Sequence, residues 1–141
     1  MDRKVINELN AYLKGEYMAI KAYGGFLERV NDTAVAEELK NIQGDHKQHA
    51  DRVAERIRSL GGKPVKGPGL MGTMSDIKNM IKRNSDDTTD IVLDAGRGEY
   101  RGIQMAEEVV KGDLDAESQK LVRELLQEDR THVGKLGDFI H

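Results

Sequence analysis

Apolar residues recur at intervals of three and four over four long stretches of the chain, which is the spacing of one face of an α-helix. The first two stretches cover residues 3–30 and 33–60. The third runs from about residue 88 to 111, and the fourth runs from Asp115 to the C-terminus. The pattern therefore predicts four amphipathic helices, each about 35–40 Å long at a rise of 1.5 Å per residue.

The breaks between these stretches indicate how the helices are connected. Short breaks at Asn31-Asp32 and at the sequence GDLD, residues 112–115, predict two antiparallel hairpins, with Asp32 and Asp115 as N-caps. The second helix ends at GGKPVKGPG, residues 61–69, which holds both prolines of the chain.

The connection between the second and third helices, residues 61–86, is long enough to run back along the whole bundle. An apolar pattern at residues 75–83 predicts a short helix within it. A bundle that alternates up and down throughout needs only a short loop there. The sequence therefore favours an all-α antiparallel four-helix bundle with one long crossover.

The second half of the chain repeats the first at an offset of 83 residues. Gly15-Glu16-Tyr17 returns as Gly98-Glu99-Tyr100, and no gap is needed to extend the alignment. The same offset aligns Asp32 with Asp115, Asp45 with Glu128, and His49 with His132. We interpret the chain as two repeated helical hairpins, about 3–60 and 87–141, that pair about a pseudo-two-fold axis. Together with the crossover they form one domain, residues 1–141.

Ionisable residues interrupt the apolar face of every helix near its middle, where the helices of an antiparallel bundle face one another. Buried charges are costly unless they are paired or bind a metal. Carboxylates and imidazoles together suit divalent cations. We therefore predict that these residues are metal ligands, while a metal-free network of ion pairs is the alternative. The six residues are Glu16, His46, His49, Glu99, Asp129 and His132.

Four neighbours of these residues are candidates for supporting roles. Asp45 and Glu128 each lie four residues before a histidine, and could orient an imidazole N–H or be ordinary solvated charges. Tyr17 and Tyr100 could donate hydrogen bonds to a ligand or simply pack in the bundle.

Composition narrows the classes of function. The 141 residues are 33% charged with both signs interspersed and a net charge of −3, so the chain has no basic footprint for nucleic acid. No stretch approaches the roughly 18 apolar residues of a membrane span. The absence of cysteine excludes disulfides and thiolate ligands. We expect a cytoplasmic protein that binds metal ions and can form a homodimer.

Three motifs resemble those of a known family. They are LNAYLKGEY near the start, SLGGKP at the end of the second helix, and DAGRGEYRG in the third. With the amphipathic crossover they make nearly the whole chain similar to the bacterial DUF2383 proteins, which are ferritin-like four-helix bundles distantly related to rubrerythrin and bacterioferritin. The resemblance implies a ferritin-like fold and a dimetal carboxylate centre, usually di-iron, that serves oxidase, peroxidase or iron-storage chemistry.

The chain departs from the ligand pattern of that superfamily. Where both metal-binding helices of the superfamily carry Glu-x-x-His, this chain has His46-x-x-His49 and Asp129-x-x-His132. A centre richer in nitrogen also suits zinc, and manganese is a further candidate. The leading hypothesis is a metal-binding ferritin-like protein with a di-iron centre, acting as an oxidase or peroxidase or in metal handling. The alternative is a non-enzymatic structural or stress-related bundle, either zinc-stapled or metal-free.

Overall fold

The computed structural model describes residues 2–69 and 86–140, which form four α-helices and no β-strand. Helix α1 spans Arg3–Arg29, α2 spans Thr33–Ser59, α3 spans Thr88–Val110 and α4 spans Ala116–Gly137. The predicted all-α class is confirmed, and the first three helices end within one residue of the predicted positions. The short helix predicted at 75–83 lies outside the described residues.

An aspartate precedes each helix at its N-cap. The side chains of Asp2, Asp32 and Asp87 each accept a hydrogen bond from a backbone N–H of the first helical turn, which satisfies a donor that the helix leaves unpaired. Asp115 occupies the fourth N-cap position but makes no such bond. Its carboxylate instead accepts a hydrogen bond of 2.6 Å from Arg56, so this residue ties α4 to α2.

Two hydrophobic layers define the topology. At one end of the bundle the N-terminal part of α1 packs with the C-terminal parts of α2 and α3. At the other end the C-terminal part of α1 packs with the N-terminal parts of α2 and α3. Helix α2 therefore ends at the opposite end of the bundle from the start of α3, and the connection between them must run the length of the bundle, as the sequence predicted.

The described part of this crossover lies against α1. The Val65 N–H donates a hydrogen bond of 2.9 Å to the side chain of Asn10. The amide of Asn10 in turn donates to the carbonyl of Lys63 at 3.1 Å. One asparagine thus holds the start of the crossover on the outer surface of α1.

The buried face of α1 is wider than the single stripe that the sequence predicted. The apolar spacing of three and four along residues 3–30 predicts that Ile20 and Leu27 are in the core, but both are half-buried, whereas Tyr12 and Phe26 are only 2% exposed. Helix α1 packs against both α2 and α3, so residues beside the stripe are covered as well.

The C-terminal end of the chain also differs from the prediction. The fourth apolar stretch is predicted to run to the C-terminus, and its spacing puts Ile140 on the apolar face, but α4 ends at Gly137 and Ile140 is 38% exposed. Ile140 lies with Val133 and Tyr100 along a surface groove between α3 and α4.

None of the helices in the described ranges is long and apolar enough to cross a bilayer.

Gly62 is expected to be essential for packing where α2 meets the crossover. A Cβ atom at this position would lie 2.7 Å from Cγ2 of Ile6 and 3.0 Å from Cγ2 of Ile57, and both branched side chains are buried. We expect Gly62→Ala to lower the free energy of unfolding by about 1–3 kcal/mol, as overpacking does. Urea unfolding followed by circular dichroism measures this change.

The control is Gly134→Ala on the exposed surface of α4, where nothing lies within 4 Å of the added Cβ. That variant should gain about 0.5–1 kcal/mol, because alanine favours the helix over glycine. Equal effects of the two variants would contradict the packing argument.

Candidate metal centre

The structure brings all six ionisable residues predicted from the helix stripes to one level of the bundle, between its two hydrophobic layers. Each is at most 4% exposed. The six are Glu16 on α1, His46 and His49 on α2, Glu99 on α3, and Asp129 and His132 on α4. Burial on this scale requires each charge to be compensated by a neighbouring charge, a hydrogen bond or a metal ion.

Glu16 anchors one side of the cluster. Its Oε2 lies 3.0 Å from Nδ1 of His46 in a hydrogen bond. The same oxygen lies 3.3 Å from Nδ1 of His49, without the geometry of a hydrogen bond. Burial opposes ionisation of this carboxyl, but the contacts with the two imidazoles outweigh it and lower the pKa of Glu16.

Glu99 anchors the opposite side with both of its oxygens. Oε2 lies 2.7 Å from Nε2 of His46 and Oε1 lies 2.7 Å from Nδ1 of His132. The Tyr23 hydroxyl donates a third hydrogen bond of 2.7 Å to Oε2. Although burial opposes ionisation, the two imidazoles bring the pKa of Glu99 down to about 2.

Asp129 lies between the two sides, and one of its carboxylate oxygens lacks a hydrogen-bond partner. Its Oδ1 is 3.8 Å from Nδ1 of His49 and 3.6 Å from Nδ1 of His132. Both Oδ1 of Asp129 and Nδ1 of His49 are buried without a hydrogen-bond partner. Burial, together with the charges of Glu16 and Glu99, raises the pKa of Asp129. A cation between these groups would satisfy both atoms and favour the ionised carboxylate.

Asp45 and Glu128 contact the outer nitrogens of two histidines, each across the bundle. Oδ2 of Asp45 lies 2.9 Å from Nε2 of His132, and Oε1 of Glu128 lies 3.2 Å from Nε2 of His49. Each carboxylate therefore faces the histidine of the other hairpin rather than the one four residues ahead on its own helix. Carboxylates in this position fix the tautomer and the ring orientation of a metal-binding histidine.

The tyrosines near the cluster are not all those that the sequence singled out. Tyr100 is 59% exposed and lies on the surface groove, and Tyr17 is half-buried against the hydrophobic core. Tyr23 contacts Glu99 directly. Tyr12, which sequence reasoning missed, is buried with an unpaired hydroxyl. Its position one helical turn before Glu16 was the available signal.

A cavity of about 160 Å³ lies beside the cluster, between α1 and α3. Four cluster residues and Tyr12 form part of its wall. Small or flexible residues form much of the rest; they are Gly15, Met18, Ala19, Gly98, Gly102 and Met105. A volume of this size is enough for a small ligand or a few water molecules beside the cluster.

The donor atoms fall into two overlapping sets of four. Glu16, His46, His49 and Asp129 form one set, and His46, Glu99, Asp129 and His132 form the other. Within each set the ligand atoms lie within 4.8 Å of one another. The mix of carboxylate oxygen and imidazole nitrogen suits first-row divalent metals, so the residues present fit a pair of metal ions that share His46 and Asp129.

We expect the metal-free protein to be most stable between about pH 4.5 and pH 6.5. The pKa of Glu99 falls from 4.5 to about 2, so its contribution is complete above pH 4.5 and is lost as the pH falls toward 2. Burial opposes protonation of His132, but Asp129 and Glu99 raise its pKa from 6.5 to about 10. The contribution of His132 is therefore complete below pH 6.5 and is lost as the pH rises toward 10.

Urea unfolding of chelator-treated protein across this pH range measures the profile. His132→Gln should reduce the loss of stability at alkaline pH without abolishing it, because the pKa values of His46 and His49 are raised as well. Glu37→Gln on the exposed face of α2 should leave the loss unchanged. An equal loss in His132→Gln and wild type would show that His132 does not contribute to it.

Solved structures share this fold along nearly the whole chain. A bacterioferritin-related protein from Bacteroides fragilis, described as a dodecameric thioferritin, is 21% identical with a TM-score of 0.80, over 99% of this chain and 86% of that one. A ferritin-like, diiron-carboxylate protein from Bacillus anthracis is 23% identical with a TM-score of 0.75, over the full length of both chains. Rhodobacter capsulatus bacterioferritin is 24% identical with a TM-score of 0.76, over 98% of this chain and 84% of that one.

These likenesses establish the fold as a ferritin-like four-helix bundle. The sequence profile of one family, described as a domain of unknown function, matches residues 4–112. That range includes the first hairpin except Arg3, the crossover and all of α3. The chain belongs to the DUF2383 family.

Proposed function

We propose that this protein binds two divalent metal ions in the buried cluster, with iron as the physiological metal, and that the bound iron reacts with O2 or peroxide. The observation that carries the proposal is the pair of buried, unpaired atoms, Oδ1 of Asp129 and Nδ1 of His49. In a network made only of ion pairs neither atom has a hydrogen bond: Nδ1 of His49 lies 3.3 Å from Glu16, and Oδ1 of Asp129 lies 3.6 Å and 3.8 Å from two imidazole nitrogens. A metal ion supplies the missing partner for each.

The side chains divide naturally between two ions. Glu16 and His49 would hold one ion, and Glu99 and His132 would hold the other. Asp129 belongs to both sets and is the candidate bridge. The ferritin-like diiron-carboxylate neighbour from Bacillus anthracis supports iron as the metal, although zinc and manganese also suit these donors.

The surrounding residues orient the ligand side chains and leave space for a small oxidant beside them. Asp45 and Glu128 hold the outer nitrogens of His132 and His49, so that the inner nitrogens point toward the cluster. Tyr23 holds one oxygen of Glu99. The adjoining cavity of about 160 Å³ can hold a molecule of the size of O2 or peroxide. Bound ferrous iron would supply the electrons for its reduction.

A metal-free or zinc-stapled structural bundle is the second candidate. Both ring nitrogens of His46 and both of His132 already face carboxylates. Three protonated imidazoles would balance the three buried carboxylates without any metal. Burial opposes protonation of His46, but Glu99 and Glu16 nevertheless raise its pKa well above 6.5, which is the state that such a network needs.

Association of two copies of the chain stays a prediction. The exposed side chains of Tyr100, Val133 and Ile140 share the groove between α3 and α4, and a second copy is the partner we propose for this apolar surface.

Metal content discriminates between the two functions. We expect protein purified without a chelating tag to bind about two irons per chain when ferrous iron is supplied anaerobically. Exposure to air should then oxidise the iron much faster than it is oxidised in buffer. The double variant Glu16→Ala/Glu99→Ala should lose both properties, because it lacks one carboxylate from each set. Plasma mass spectrometry counts the metal, and absorbance follows the oxidation.

Glu37→Ala on the exposed face of α2 is the control and should behave as wild type. A single retained zinc, with iron oxidised no faster than in buffer, would favour the structural role. Absence of any metal in the wild type would reject metal binding altogether.

The cavity should limit access of the oxidant. Gly102→Leu adds a side chain that starts 3.8 Å from Oδ2 of Asp129 and extends into the cavity. We expect iron oxidation to slow several-fold while the iron content stays at two per chain. Gly96→Leu, one to two turns away on α3, has open space at its Cβ and lines the other groove, so it should oxidise iron at the wild-type rate. Equal rates in all three proteins would show that oxidant reaches the metals by another path.

A further inference from the structure

His46 differs from the other two histidines of the cluster in where its ring nitrogens point. His49 and His132 each turn Nδ1 inward and Nε2 outward, and the outer nitrogen contacts a half-exposed carboxylate of the other hairpin. His46 turns both nitrogens inward. Nδ1 lies 3.0 Å from Glu16 and Nε2 lies 2.7 Å from Glu99.

The two nitrogens of His46 therefore face the two halves of the cluster. On the Nδ1 side, Oε2 of Glu16 also approaches His49 at 3.3 Å. On the Nε2 side, Glu99 also contacts His132 at 2.7 Å. The three rings form a nearly equilateral triangle, in which the His46 centroid lies 5.4 Å from that of His49 and 5.2 Å from that of His132, and those two lie 6.1 Å apart.

The internal repeat gives His46 the same place in one hairpin that Asp129 has in the other. The offset of 83 residues that aligns Glu16 with Glu99 and His49 with His132 also aligns His46 with Asp129. These two residues are also the members shared by both candidate ligand sets. The pseudo-two-fold symmetry thus makes them equivalent central groups, and a group at the centre can contact both ions.

We propose that the imidazole of His46 bridges the two metal ions. Nδ1 binds the ion held by Glu16 and His49, Nε2 binds the ion held by Glu99 and His132, and Asp129 is the second bridge. This inference rests on the proposed function, since it requires that two metal ions bind.

The charge of the buried cluster supports a bridge of this kind. An imidazole that binds metal through both nitrogens has given up both ring protons to the solvent and carries one negative charge. Together with three carboxylates it balances the four positive charges of two divalent ions. With a neutral imidazole, one positive charge would be left for Asp45 and Glu128 to balance, and their carboxylates are 40% and 45% exposed. Compensation by a fully buried group is the stronger interaction in a low-dielectric core.

The test is a crystal structure of the protein loaded with Zn²⁺ alone, with the ions located by anomalous scattering at the zinc edge. Metal–nitrogen bonds of about 2.0–2.1 Å on opposite sides of one ring put the ions about 6 Å apart. Ions bridged only by small oxygen ligands lie about 3.5–4 Å apart. Two zinc ions at the longer separation, with the His46 ring between them, would establish the bridge.

Other outcomes identify which inference fails. Two ions at the shorter separation, or one ion alone, would overturn the bridge and leave metal binding intact. No zinc at the cluster would overturn the proposed function itself.

Substitutions provide an independent readout in solution. His46→Gln cannot bind metal on both sides, and we expect the affinity for the second zinc to fall at least tenfold while the first still binds. His46→Glu restores a carboxylate at this position, so it should retain two ions and shorten their separation to about 4 Å. Competition with a chromogenic chelator measures the affinities, and circular dichroism verifies that each variant folds.

Lys47→Gln, on the exposed side of the next residue, is the matched control and should bind zinc as wild type does. Unchanged affinity for the second ion in His46→Gln would overturn the proposed bridge.

Discussion

The cost of burying six ionisable side chains at the centre of a four-helix bundle governs the rest of this structure. Each of these groups could be hydrated at the surface at little cost, and none is stabilised by the apolar layers above and below it. They are tolerated because each contacts another member of the cluster, and because two of their atoms are positioned to bind a cation. Long helices and short turns within each hairpin keep the six groups at one level of the bundle.

Much of this arrangement follows from the sequence, for clear physical reasons. Helix periodicity, aspartate caps and the glycine-proline break are local signals, so they located the helices well. The repeat supplied long-range information, because an offset that pairs Glu16 with Glu99 also fixes which levels of the two hairpins meet. The sequence therefore predicts that all six residues meet at one level of the bundle.

The remaining features depend on side-chain packing between helices, which periodicity does not encode. Tyr12 lies beside the predicted stripe and is buried because α1 packs against two helices at once. Ile140 repeats the position of Ile57, yet α4 stops at Gly137 and leaves it exposed. His46 contacts Glu99, and Asp45 contacts His132. Both contacts join the two hairpins, so they form only when the hairpins pack together.

Asp45 contacts His132 and Glu128 contacts His49, so both of these contacts join one hairpin to the other. Each hairpin carries the carboxylate that orients the imidazole of its twin. A single hairpin thus contains metal-ligating side chains but lacks the carboxylate that orients its own His49 or His132 ring. Metal affinity then becomes a property of the docked pair, and any cation that binds the oriented rings strengthens docking by the same free energy. The buried cluster therefore links the two hairpins, and a bound metal ion would strengthen this link.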